Sequence, residues 1–120
     1  MRPVPSQPTP LLVGGHSKVA LNRAALNGDG WMCAGAETDQ LRSYIEQLNE
    51  LRKQHGTQDK PFSIYAGSAE GFSKEGIEKL ETMGVTDLII GFRDLYAMQP
   101  DHTLEQKIEM LEGYASHFIA

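Results

Sequence analysis

The feature that most constrains this chain is a fourfold alternation of short apolar runs with longer stretches whose apolar residues recur every three or four positions. The runs at residues 11–13, 31–34, 61–66 and 85–92 read as strands. The first two are apolar throughout, and the first, ending in Gly14-Gly15, has the pattern of a strand buried on both faces. The third alternates Phe62, Ile64 and Ala66 with Ser63 and Tyr65, which predicts unlike faces. Between the runs, Ser17 caps a helix reaching Asn27, with Val19, Leu21, Ala24 and Ala25 as its apolar positions and Gly28 as its stop. A second helix over 38–55 buries Leu41, Ile45, Leu48 and Leu51 and ends at Gly56. A third starts near Ser73, buries Ile77, Leu80 and Met83, and closes on Gly84 as a left-handed cap. The last opens with Thr103 and Gln106 as a capping box and presents Leu104, Ile108, Leu111, Ala115 and Phe118 to the core.

Strands alternating with helices of this length need crossover connections, so the fold class is α/β with four βα units and a parallel sheet. Two architectures share this grammar. A doubly wound open sheet carries helices on both faces and binds ligand where strand order reverses. A (β/α)8 barrel needs eight units, of which this chain holds four. Periodicity does not choose between them. Ahead of the first strand, Pro3, Pro5, Pro8 and Pro10 fix φ and remove backbone donors, so residues 1–10 are expected to form an extended arm before a domain spanning 11–120.

Composition narrows the function classes. The net charge is −5 and the Lys and Arg residues are scattered, which argues against a nucleic-acid groove. The start has no apolar segment of signal-peptide length and no later run approaches a membrane span, so a cytoplasmic protein is expected. Cys33 is the single cysteine, and no Cys-x-x-Cys or His-x-x-x-His pair exists to hold a metal.

The residues with chemical promise lie between the first strand and its helix. In Gly14-Gly15-His16-Ser17-Lys18 free amides and the helix dipole converge, two glycines let backbone approach a ligand, Ser17 adds a hydroxyl and Lys18 a positive charge. A phosphate-sized anion fits that description, and so does a plain glycine bend; the pattern is neither Gly-x-Gly-x-x-Gly nor a P-loop. His16 alone of the four histidines stands at a strand end, where it can bond a cofactor or simply face solvent; His55, His102 and His117 read as solvated. Trp31 reads first as core and alternatively as the wall of a flat ring system, and Cys33, two residues on, shares its face as a small buried side chain. Arg93 and Asp94 follow the fourth strand and can meet a phosphate or neutralise each other. No Ser-His-Asp order or nucleophile elbow is present, so any enzyme chemistry would fall to a bound cofactor.

The run Pro10-Leu11-Leu12-Val13-Gly14-Gly15-His16-Ser17, the helix with Leu21 and Ala25, and Gly28-Asp29-Gly30-Trp31 resemble the luciferase-like monooxygenase family. Met83-Gly84-Val85-Thr86-Asp87-Leu88-Ile89-Ile90 is similar to the end of that family's last helix-strand pair. The resemblance covers the C-terminal half of the family's domain. It implies a (β/α)8 barrel whose fifth to eighth strands are the four here, and FMN or the deazaflavin coenzyme F-420 as cofactor. It also carries the contact with the cofactor's phosphate onto Gly14, Gly15, His16 and Ser17. The family's proline arm lies inside its chain, so a shortened form beginning at an internal methionine is expected, with the rest of the ring pocket absent. Two functions follow: an oxidoreductase or monooxygenase domain acting on a small organic substrate, or a catalytically silent half-barrel that at most binds phosphate. With two open sheet edges, a homodimer or higher homo-oligomer is expected.

Overall fold

The computed structural model describes residues 3–93 and 96–119. In chain order they form β1 (Leu12–Gly14), α1 (Lys18–Asn27), β2 (Gly30–Cys33), α2 (Thr38–Gln54), β3 (Ser63–Gly67), a 3-10 turn (Ala69–Phe72), α3 (Lys74–Met83), β4 (Asp87–Ile89) and α4 (Leu104–Phe118). The chain divides into two compact units, one ending at Ile89 and one beginning at Ile90.

In the first unit the four strands are parallel and lie in the order β1-β2-β3-β4. This order decides between the two architectures. A doubly wound sheet requires a reversal of strand order, and here none occurs. Right-handed crossovers taken always in one direction put every connecting helix on the same face, which is barrel winding. The chain is thus an α/β half of a (β/α)8 barrel. Register places Val13, Trp31 and Ile64 side by side, with Cys33 beside Ala66 one layer on. All five are buried, and with Leu21, Ala24, Ala25, Leu41, Ile45, Leu48 and Leu80 they make the core between sheet and helices. The opposite face carries Leu12, Gly14, Gly30, Met32, Ser63, Tyr65, Gly67, Asp87 and Ile89. None of these joins the core, and Met32 and Ile89 are 37% and 38% exposed. The alternation predicted in the third strand is therefore present, with Ile64 and Ala66 inside and Ser63 and Tyr65 on the other face.

Local chemistry explains where elements begin and end. Ser17 and Ser73 cap α1 and α3 by accepting the amides of Ala20 and Gly76. Gly84 ends α3 at φ +110, a left-handed conformation that glycine adopts without strain. The expected fourth strand over 85–92 shrinks to three residues. Its first amide, on Val85, closes α3 onto the Leu80 carbonyl, and the Thr86 hydroxyl takes the Ile64 amide at 2.7 Å, so the ladder begins only at Asp87. The 3-10 turn after β3 was not foreseen; Ser68 caps it through the Glu70 amide.

In the second unit α4 opens with the predicted capping box of Thr103 and Gln106. Its expected burial does not occur: no residue of α4 is buried, and Leu104, Ile108 and Leu111 are exposed. The packing within this unit runs instead through rings, Phe92 edge-on to Tyr114 at 6.0 Å and Tyr114 against Phe118 at 4.5 Å. Among the described residues no helix is long and apolar enough to cross a membrane.

Candidate functional site

At the C-terminal end of β1 the chain turns through Gly14, Gly15, His16 and Ser17 into α1. Ser17 is the N-cap: its Oγ accepts the Ala20 amide at 3.1 Å and its carbonyl accepts the Leu21 amide at 2.9 Å. Lys18 and Val19 supply the first two amides of the helix, which have no acceptor within it and sit at the positive end of its dipole. The hydroxyl proton of Ser17 is also available to donate. The turn thus offers N–H and O–H donors at one place.

The two glycines are there for different reasons. Gly15 has φ +107, and a Cβ on it would stand 3.0 Å from the Ala20 Cβ, so it is the bend itself. Gly14 lies within β1, and the nearest atom to a Cβ there would be the Met32 carbonyl oxygen at 3.9 Å, an ordinary contact. Packing inside the protein does not demand glycine at 14. Its missing side chain leaves bare backbone on the sheet face away from the core, at the strand end.

Trp31 is fully buried, and its Nε1 donates to the Gly15 carbonyl at 2.9 Å. In a trans peptide the C=O and N–H point opposite ways, so drawing the Gly15 oxygen toward the core turns the His16 amide out of it. The indole has no exposed surface and reaches the turn through this bond from beneath. His16 is exposed, yet its ring is clamped: it stacks on Tyr44 with centroids 5.0 Å apart and planes 18° apart, and meets Trp31 edge-on at 6.2 Å. Its Nε2 lies 3.4 Å from the Cys33 sulfur. Burial pushes the Cys33 thiol above its ordinary pKa, partly offset by the nearby Gly35 amide. Sequence reasoning missed both Tyr44 and the Cys33 contact. Tyr44 was visible as the position three after Leu41 and four before Leu48, on the buried stripe of α2.

Further round the strand ends, Glu70 in the 3-10 turn accepts from the Thr38 hydroxyl at 3.1 Å and from Lys79 at 2.7 Å. These bonds, Lys79 first, hold its carboxyl below the usual glutamate range and tie the loop after β3 to α2 and α3. Lys18 is exposed in the first turn of α1. In the second unit Arg93 pairs with Asp101 at 3.3 Å; its sequence neighbour Asp94 lies outside the described residues. His55 donates from Nε2 to the Asn22 side-chain oxygen at 2.7 Å, joining α2 to α1. Among the described residues no group of three or more His, Cys, Asp and Glu side chains could hold a metal ion.

A parallel sheet wound in one direction, with a glycine turn and helix N-terminus at its C-terminal rim, defines the class: half of a (β/α)8 barrel of the kind that meets its ligand at that rim. The chain belongs to the luciferase-like monooxygenase family, whose sequence profile matches residues 1–114. It is 46% identical over 121 aligned residues to an uncharacterized protein of Mycobacterium bovis and, equally, to an uncharacterized protein of Mycobacterium tuberculosis. The alignments cover 100% of this chain and 41% of each relative, so the chain spans about two fifths of the length of the curated relatives it matches. No solved structure matches it.

Proposed function

We propose that this chain is the tail-binding half of a flavin- or deazaflavin-dependent oxidoreductase of luciferase type, cytoplasmic and acting on a small organic substrate. The turn at Gly14, Gly15, His16 and Ser17 carries the reading. FMN and F-420 both bear a phosphate on the chain leaving their ring, and that group suits a site made of donors. Gly14 gives it close backbone approach, the amides of Lys18 and Val19 and the Ser17 hydroxyl give it hydrogen bonds, and the Lys18 side chain adds positive charge. Trp31 supports the turn from below by holding the Gly15 carbonyl. When bound, the cofactor supplies hydride transfer or oxygen activation; the residues here anchor its tail. Titrating the purified protein with FMN and separately with F-420, and following the visible spectrum, tests the proposal. A saturable change with either is expected, and no perturbation by either would refute it.

A second reading, a catalytically silent half-barrel that assembles with itself, is favoured by the sheet face left outside the core, where Met32 and Ile89 are exposed. In this reading two copies cover each other's bare sheet face and close the open edges of β1 and β4. Light scattering at micromolar concentration separates the cases: a dimer or larger species supports self-assembly, and a well-folded monomer sinks it.

A further inference from the structure

We infer that Cys33 is a positioning residue whose thiol donates to Nε2 of His16 and so fixes the neutral imidazole in the tautomer that carries its proton on Nδ1. The sulfur and the nitrogen are 3.4 Å apart, within hydrogen-bond reach for sulfur. A neutral imidazole has one donor and one acceptor nitrogen, and a thiol is a weak donor and a weak acceptor. Which way the proton lies follows from the burial of the sulfur. Cys33 is fully buried, so no water takes its thiol proton, and the Nε2 lone pair of His16 is the acceptor in reach; a proton on Nε2 would leave the buried S–H without one. Burial of Cys33 opposes the alternative of a thiolate facing an imidazolium, because a charge there would be desolvated. The stack on Tyr44 and the edge contact with Trp31 hold the ring plane, and within that plane a flip would exchange Nε2 for a carbon and lose the bond to the sulfur.

An isolated neutral histidine prefers its proton on Nε2. Cys33 therefore inverts the default, and the consequence lies at the rim. His16 is an exposed residue of the turn, and in the default tautomer its Nδ1 is a bare lone pair, which repels an anion that reaches it. With Nδ1 protonated it brings an uncharged N–H donor, matching the neighbouring amides of α1. This consequence, though not the tautomer, rests on the reading of the turn as a phosphate site.

Two-bond proton–nitrogen correlation spectra of uniformly nitrogen-15-labelled protein at about pH 8, above the ordinary histidine pKa, read the tautomer directly. The unmodified protein should show His16 protonated at Nδ1. Cys33→Val, close in size but without a donor, should revert to the Nε2–H form, and Cys33→Ser should retain Nδ1–H. Inorganic phosphate should then bind Cys33→Val more weakly than the unmodified protein, by about threefold or more, with the Ser variant closer to the original. An Nε2–H signal for His16 in the unmodified protein, or Nδ1–H persisting in Cys33→Val, overturns the inference. The unmodified protein's spectrum decides it even if a variant fails to fold. Nδ1–H without any phosphate binding would support the tautomer while overturning the phosphate reading of the turn.

Discussion

Replacing each of the two turn glycines by alanine separates ligand binding from folding, because the structure gives the two substitutions opposite signs. At Gly15 the backbone sits at φ +107, where an L-residue is strained by roughly 1–3 kcal/mol, and the new methyl would press on Ala20 at 3.0 Å. Gly15→Ala should therefore lower the urea midpoint at unchanged slope. At Gly14 the added Cβ meets nothing closer than 3.9 Å, and the unfolded chain loses freedom. Gly14→Ala should leave stability unchanged or raise it by about 0.4–1 kcal/mol. The methyl would project from the backbone where a phosphate oxygen needs to approach, and loss of one charge-assisted hydrogen bond costs about 1.5 kcal/mol, or about tenfold in Kd. Urea unfolding and phosphate titration on both variants give four numbers. If Gly14→Ala binds phosphate as tightly as the unmodified protein, bare backbone at 14 is not the ligand's contact. If Gly15→Ala is as stable as the unmodified protein, the strain argument is wrong.

At the opposite end of the strands, the Thr57 hydroxyl donates to the Ala25 carbonyl at 2.7 Å, in the last turn of α1, while the amide four residues on, Asp29, bonds Leu11 instead. Thr57→Val leaves that carbonyl unpaired and should cost about 1–2 kcal/mol by urea unfolding, more than Thr57→Ser, with phosphate affinity unchanged; the reverse order of the two variants would contradict this. Trp31→Phe removes the donor to Gly15 and leaves a gap in the core, so a loss of about 2–3 kcal/mol together with weaker phosphate binding is expected; a variant that lost stability but bound phosphate normally would show that the indole does not aim the turn. The depressed carboxyl of Glu70 favours the folded state above the ordinary glutamate pKa, and that contribution disappears as pH falls through the lower folded value. In Lys79→Met a carbon-13 titration should move Glu70 up toward its ordinary range, and an unmoved titration would remove Lys79 as the cause.

How much of this was legible beforehand depended on the range of the forces involved. Helix caps are decided within four residues, so Ser17, Ser73, Gly84 and the Thr103–Gln106 box were readable from side-chain chemistry alone. The glycine turn was readable for the same reason, although nothing in the sequence separated Gly14 from Gly15. Strand order is a long-range property that periodicity does not carry; the barrel followed from the family resemblance, and the order β1 through β4 bears it out. The end of the fourth strand was misjudged because apolar content continues past Ile89 whereas ladder pairing does not. Gly28 stops α1 at an ordinary φ of −86 rather than as a left-handed cap; it is glycine because a Cβ would strike the Ala24 carbonyl at 2.8 Å. The Cys33–His16 contact joins residues 17 apart across two neighbouring strands, and no local pattern encodes it. For α4 the three-and-four spacing was present without burial, since periodicity records an apolar stripe and not what covers it.

Winding in a single direction gives the first unit two rims with separate duties. Within that unit the loops that leave a strand, including the Gly14–Ser17 turn and the segment around Glu70, open on one rim, and the loops that enter a strand, including the Thr57 to Lys60 segment clasped by Arg52, open on the other. Sequence change at the entering rim can alter how firmly the half-barrel holds together without touching what it binds. Change at the leaving rim can alter binding on an unchanged frame. A chain built this way can therefore acquire a new ligand and a new melting temperature independently, through mutations that never meet.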